Sequence, residues 1–390
     1  MDTISTLWSG FAAAGAFLWF CILILPWQPW RVRERLEPAT GEIAAAGLDG
    51  VTVLIPARNE AAVIGETLAA LGEQGQGRDQ RLRVVLVDDR SDDETAEAAR
   101  QAAPEALALD ICEGEALAEG WSGKLWALEQ GRGRIETPLV LLLDADIALR
   151  PGMVRALLRR REETGAALVS VMAALRMTGG WEKLLLPAFI FFFRLLYPFH
   201  LANRPGRLVA AAAGGCVLVE TRVLDAIGGF AAIRGALIDD CALARAVKDA
   251  GYRTWIGVSR GAVSHRAYPG LGDVWHMVAR TAYTQLRYSP ALLLLCTALM
   301  ALAFWAPLAG LAGPLPAKAA AGAGLAVMAG CYLPTLRYYR VAPGWALAMP
   351  LVGTLYLAMT WHSALRDWGG RRSEWKGRVY ARNRAPGGAG

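Results

Sequence analysis

The sequence has no G-x-G-x-x-G turn and no G-K-[ST] loop. The glycine-rich cradles that hold dinucleotides or the phosphates of ATP are therefore missing. Its four histidines, at 200, 265, 276 and 362, do not fall at zinc-ligand spacing. Six cysteines, at 21, 112, 216, 241, 296 and 331, form no paired motif, which argues against a disulfide framework. Charge is scarce at 19% of residues, and none occurs between Leu7 and Leu25. The net charge of +6 is compatible with nucleic acid. Because the arginines cluster beside apolar runs, however, anionic lipid head groups are the simpler partner and no nucleic acid is expected.

What the chain does have is apolar length. Hydrophobic residues make up 54% of the chain and the mean hydropathy is +0.29. Residues 7–27 read as a first transmembrane helix, since about twenty apolar residues cross the hydrocarbon layer. The positive start and small-residue cleavage box of a signal peptide are lacking, so an uncleaved span is expected. Arg31, Arg33 and Arg35 follow it and place the next domain in the cytoplasm. Residues 289–365 read as a second membrane region of about three segments, near 291–311, 319–336 and 345–361. Residues 366–390 form a basic tail. Three crossings from a cytoplasmic domain would leave that tail outside, yet its charges favour the inside. Either one apolar segment is re-entrant or the span count is wrong.

Between the membrane regions, residues 48–288 alternate apolar strands with helices, the pattern of an α/β domain with right-handed crossovers. Strands are expected at 52–55, 82–87, 106–112, 140–143 and 169–174. Helices are expected at 60–71, 124–133, 151–164 and 239–249, and Ser91 with Glu94 matches a capping box for another. Residues 184–199 are nearly all apolar but short for a span, which favours a helix or hairpin lying on the membrane surface over a buried helix. Residues 271–287 read as one amphipathic helix leading into the membrane.

Chemistry concentrates where strands end, the edge at which open α/β sheets bind ligands. Asp144 and Asp146 leave a buried strand as an i, i+2 pair suited to Mg²⁺ or Mn²⁺ carrying substrate phosphates. The plain alternative is two solvated loop aspartates. Asp88 and Asp89 can accept hydrogen bonds from a base or ribose, although a turn or cap would also use them. Arg58, Asn59 and Glu60 offer donors and acceptors at the first strand end. Lys124 suits a phosphate or serves as an exposed helix lysine. Asp239 and Asp240 supply a candidate general base, or simply favour the dipole of their helix. His265 is the histidine best placed to neighbour a site.

Together these residues resemble the membrane-bound family 2 glycosyltransferases, most closely the hopene-associated group, over roughly residues 51–288. The run 273–288 (DVWHMVARTAYTQLRY) is characteristic of that group. The resemblance implies a GT-A-like nucleotide-diphospho-sugar transferase domain with N- and C-terminal transmembrane helices. It assigns Pro56, Ala57, Arg58, Asn59, Glu60, Asp88, Asp89, Lys124 and Asp144 to donor binding, and Asp144 and Asp146 to the metal. Asp239-Asp240 stands where the family has an E-D pair, whose second acid is the usual base. Gly214, Gly215, His265, Arg287 and Tyr288 fall on the candidate acceptor or product side. Only Arg287 and Tyr288 echo the Q-x-x-R-W of processive enzymes, which weakens a processive reading. Trp375 to Tyr380 is similar to a carboxyl-terminal motif of lipid-directed relatives. The expected activity is metal-dependent, inverting transfer from a UDP-linked donor to a hopanoid or isoprenoid membrane lipid. The expected setting is the bacterial inner membrane, with multiple passes and a cytoplasmic catalytic domain. The alternatives are a processive glycan synthase and a non-catalytic lipid-binding or assembly protein.

Overall fold

The structure is a computed structural model that describes residues 3–38, 48–75, 81–206, 208–370, 374–375 and 378–379. It comprises two compact units, and each is built by rejoining separated stretches of chain. One gathers Glu34–Arg176, Phe199–Ala267 and Arg372–Gly390 around a sheet; the other gathers Met1–Arg33, Met177–Pro198 and Tyr268–Arg371 as helices.

The sheet unit carries eight strands in the order β3-β2-β1-β4-β7-β6-β8-β5. They are β1 (Val51–Ala57), β2 (Leu82–Asp88), β3 (Leu107–Glu113), β4 (Leu139–Leu143), β5 (Ile147–Leu149), β6 (Leu168–Ala174), β7 (Cys216–Glu220) and β8 (Thr254–Ser264). β3, β2, β1 and β4 are mutually parallel, as the alternation of strands and helices requires, whereas β7 runs antiparallel between β4 and β6. Every residue of β1, β4 and β7 is buried, which explains why these strands read as unbroken apolar runs. β1 feeds a helix (Ala61–Gly72) returning to β2 on one side, while β4 lies on the other. The carboxyl ends of β1 and β4 therefore flank a topological switch point, where ligands bind in such sheets.

One expected cap does not form. The helix after β2 spans Thr95–Ala102, and Glu94 before it sits at φ 60° instead of closing a box with Ser91. Ser91 instead donates through Oγ to Asp88 and accepts from the Asn59 amide at 3.0 Å. Tying together the loops after β1 and β2 outcompetes the local cap.

Among the described residues, the helical unit contains four helices long and apolar enough to cross a membrane: Ser5–Ile24, Pro290–Gly310, Leu315–Tyr338 and Pro343–Trp368. Small residues let them approach closely. A Cβ on Gly324 would lie 3.0 Å from the Ala16 Cα, and one on Gly310 would lie 2.6 Å from the Ala12 Cβ. The segment expected on the membrane surface forms the helix Gly180–Leu196, and its central residues Leu184 to Ala188 are buried. Phe191 meets Tyr332 edge-on at 5.4 Å, and Phe192 meets Tyr356 at 4.9 Å. Aromatic packing thus draws one face of this helix into the unit, a correction to the surface reading. The expected helix over 271–287 is broken into Leu271–Ala279 and Ala282–Gln285. The tail motif from Trp375 to Tyr380 lies partly outside the described residues; Glu374–Trp375 and Arg378–Val379 pair as a short antiparallel ladder.

Candidate active site

Three loops meet at the carboxyl edge of the sheet. Arg58, just past β1, donates at 2.6 Å to the carbonyls of both Asp89 and Arg90. Asn59 holds φ 52° and accepts through its side chain from the Asp92 amide at 2.9 Å. A left-handed Asn is tolerated where its short side chain bonds locally. These groups bracket the two loops. Ala57 and Asp89 are fully buried, and the Asp89 amide donates to the Ala57 carbonyl at 2.8 Å, so they shape the edge from beneath. Asp88 accepts from the Ser91 amide at 3.1 Å.

Asp144 follows β4, its amide donating to the Gly215 carbonyl at 3.1 Å. Lys124, in the first turn of the helix Gly123–Arg132, places Nζ 2.7 Å from Asp144 Oδ1 and 3.4 Å from Asp239 Oδ2. Asp239 and Asp240 open the helix Asp239–Asp249. Asp240 accepts from the amides of Gly214 and Cys241 at 2.8 and 2.7 Å. A Cβ on Gly214 would come within 3.3 Å of Lys124 Nζ and 3.4 Å of Asp240 Oδ2, so a larger residue would crowd both groups. Pro56, Lys124, Asp144, Gly214, Asp239 and Asp240 line one narrow recess.

A single ammonium shared among three acids sets the electrostatics. Burial alone would lower the Lys124 pKa, but the charges of Asp144 and Asp239 hold it above its ordinary value. Burial pushes Asp144 upward, and Asp146 and Asp239 add to that push against the pull of Lys124. Burial, reinforced by the neighbouring Asp239, raises Asp240 to about 6, although its backbone hydrogen bonds and Lys124 pull it down. A carboxyl with that value is poised to exchange a proton near neutral pH.

Asp146 faces a different set of partners. Its Oδ2 accepts from Ser264 Oγ at 2.9 Å and from Arg266 Nε at 3.2 Å. Arg266 also donates to Glu60 at 2.8 Å, which links the ends of β1, β4 and β8. His265 donates its amide to the Asp146 carbonyl at 2.8 Å, and its ring pairs with Glu66. Sequence reading passed over Ser264, noted Arg266 only as the neighbour of His265, and passed over Glu66. The first two obey the same strand-end rule that singled out the other candidates, but β8 lacks the acidic run that drew attention to β2 and β4. Arg287 and Tyr288 fall in the helical unit.

The donor set suits a hard divalent cation. Lys124 takes Oδ1 of Asp144, while Ser264 and Arg266 take Oδ2 of Asp146, so each carboxylate retains a second oxygen. Among the described residues no cluster of three or more His, Cys, Asp or Glu side chains is arranged to hold a metal. Two carboxylates completed by substrate phosphate oxygens are a sufficient set for Mg²⁺ or Mn²⁺.

Comparison with solved structures bears on the fold first. A mannosyltransferase from Pyrobaculum calidifontis, PcManGT, solved in complex with GDP-Man and Mn²⁺, superposes with a TM-score of 0.55 at 24% identity, covering 94% of this chain and 100% of that one. Glucosyl-3-phosphoglycerate synthase from Mycobacterium tuberculosis gives 0.39 at 16% identity, covering 65% and 86%. A search of curated proteins finds no match. The fold is a GT-A-like nucleotide-sugar transferase fold with apolar helices at either end. Residues 49–283 match Glycosyltransferase like family 2, and the chain belongs to that family: it is a family 2 glycosyltransferase.

Proposed function

We propose that the enzyme transfers one sugar, with inversion, from a nucleotide diphosphate donor to the hydroxyl of a membrane lipid. The supporting observation is the Lys124 bridge, which reaches Asp144 and Asp239 from a single ammonium. It holds a carboxylate suited to the leaving diphosphate and the acid pair suited to the acceptor in one recess.

In this reading the donor lies across the ends of β1 and β4, with its nucleotide beside Pro56, Arg58, Asn59, Glu60 and Asp88. Ala57 and Asp89 support that edge from below. Asp144 and Asp146 would hold Mg²⁺ or Mn²⁺, which supplies positive charge against the departing diphosphate. PcManGT was solved with Mn²⁺, and the spare oxygen on each carboxylate fits the same role here. Asp240 removes the acceptor proton, and the freed oxygen attacks the anomeric carbon from the face opposite the leaving group. Gly214 and Gly215 leave room for the sugar, and Gly214 aims the base. His265 positions Asp146 through the backbone. Lys124 bridges Asp144 and Asp239, and Asp239 orients the helix that carries Asp240.

A hopanoid or isoprenoid acceptor and a UDP-linked donor are favoured by the likeness of residues 273–288 to the hopene-associated group. The four apolar helices support a lipid acceptor and a multi-pass setting. The setting proposed is the bacterial inner membrane with the sheet domain in the cytoplasm, and the same likeness assigns Arg287 and Tyr288 to the acceptor or product. Incubating the purified full-length enzyme with radiolabelled UDP- and GDP-sugars and bacterial lipid extracts, with mass analysis of the products, tests this. A lipid carrying one added sugar is the expected product. A ladder of sugars would establish processive synthesis, and no metal-dependent turnover by folded enzyme would remove the proposal.

A further inference from the structure

The apolar helices of the helical unit do not alternate in direction. Ser5–Ile24 and Pro290–Gly310 run antiparallel: Gly310 lies on Ala12, Gly15 lies on Leu302 and Ala306, and Trp19 Nε1 donates to the Ala303 carbonyl at 2.8 Å. Leu315–Tyr338 runs with the first helix, since Ala321 shares Gly310 with Ala12 and Gly324 lies on Ala16. Alternation would then require Met349–Trp368 to run parallel to Pro290–Gly310. It runs the other way. Gly353 lies on Phe304, and Trp305 Nε1 donates to Thr354 Oγ1 at 2.8 Å. Further along, Trp361 Nε1 donates to Thr297 Oγ1 at 2.9 Å, and Ala364 clusters with Leu293 and Tyr283. Finally, Trp368 Nε1 donates to the Tyr283 hydroxyl at 3.2 Å. As numbering rises along one helix, it falls along the other.

Two consecutive helices, Leu315–Tyr338 and Met349–Trp368, therefore point in the same direction. Residues 339–348 must carry the chain back between them. Their main element is the 3₁₀ helix Pro343–Ala348, which lies against Leu315–Tyr338. At about 2.0 Å per residue it rises on the order of 12 Å, well short of the roughly 30 Å hydrocarbon layer. Irregular backbone at such depth is tolerated where protein covers it. Val341, Ala346 and Met349 are buried, and the Val341 amide donates to the Leu336 carbonyl at 2.9 Å.

From this geometry we infer that the chain crosses the membrane three times, and that Pro343–Trp368 is a re-entrant hairpin. The basic tail then emerges on the side from which Arg33 leads into the sheet unit. Charge gives independent support. Arg31, Arg33, Arg280, Arg287, Arg337, Arg340 and Arg366 flank the end shared by Ile24, Tyr283, Tyr338 and Trp368, and Lys318 lies near the opposite turn. Such asymmetry marks a cytoplasmic face. The short strands at Glu374–Trp375 and Arg378–Val379 group with the sheet unit. The discrepancy between span count and tail charge disappears.

The test adds single cysteines to the full-length chain at Glu105, Ala312, Arg340 and Gly390, and labels them with a membrane-impermeant maleimide in right-side-out and inverted vesicles. The unsubstituted chain sets the background from native thiols. Arg340→Cys and Gly390→Cys should label from the same face as Glu105→Cys, and Ala312→Cys from the opposite face. Labelling of Gly390→Cys together with Ala312→Cys would overturn the hairpin and restore four crossings. If the cysteine at 390 reacts from neither face, protease cleavage of a carboxyl-terminal epitope tag decides. Cleavage from the Glu105 face supports the hairpin, and cleavage from the Ala312 face overturns it.

Discussion

The sheet unit and the helical unit solve opposite problems. In the sheet unit, charge is brought inward and must be answered: Lys124 answers Asp144 and Asp239, and Arg266 answers Asp146 and Glu60. In the helical unit, apolar bulk is turned outward, with Phe17, Leu294 and Leu315 between 61 and 79% exposed. Lipid is the natural solvent for such a face. Without a hydrophobic drive between helices, glycine contacts and single indole hydrogen bonds hold this unit together. Substitutions in the sheet unit should therefore alter chemistry, and those in the helical unit should alter assembly.

The sharpest break in that contrast is expected at Asp240. Asp240→Asn should lower kcat by ~10²–10⁴-fold, the usual contribution of a general base, while calorimetry shows donor affinity preserved. Asp239→Asn should cost less, and a larger loss there would move the base one residue earlier. Asp144→Ala comes next. It should reduce turnover by ~10²–10³-fold, comparable to losing one preorganised electrostatic contact, and it should also weaken metal-supported donor binding. Intact binding and turnover would reject its role.

The pH dependence follows from the raised Asp240 carboxyl. Protonated below about 6, it cannot accept a proton. The rate should therefore fall as pH drops through that value, by roughly tenfold per unit once below it. A rate flat down to pH 4.5 would contradict the assignment. The smallest effect on chemistry belongs to the helical unit. Gly353→Leu would force a side chain into Phe304, whose ring already crowds the Cβ position. Overpacking of this kind costs ~1–3 kcal/mol. It should lower the unfolding midpoint in detergent while leaving nucleotide-sugar affinity unchanged; a loss of donor affinity would show that the units do not divide the work.

Much of the sheet unit was readable from sequence because strand-end acids follow buried apolar runs, and both signals are local. The helical unit resisted reading because its decisive contacts are distant. The amphipathic pattern over 271–287 predicts one helix, yet Tyr283 is buried against Leu293 and Ala364 and donates to the Tyr288 carbonyl at 2.9 Å. That packing breaks the helix and leaves Arg287 and Tyr288 at φ 52 and 55°, conformations a non-glycine residue adopts only when its surroundings impose them. Nor does hydropathy reveal direction. The last apolar helix has the length of a crossing, and only its pairing with Thr297 and Phe304 shows which way it runs. Ser91 failed as a cap for the same reason, its partners lying 32 positions away at Asn59 as well as nearby at Asp88.

The central claim is that Asp240 activates the acceptor across the reacting carbon from the Asp144 side of the recess. Stereochemistry tests it most directly. A sugar donor of known anomeric configuration is supplied to the purified enzyme, and the configuration of the glycolipid is read by NMR before it can be remodelled. Attack from the Asp240 side in one step predicts the opposite configuration in the product. A product that retains the donor's configuration would contradict the account.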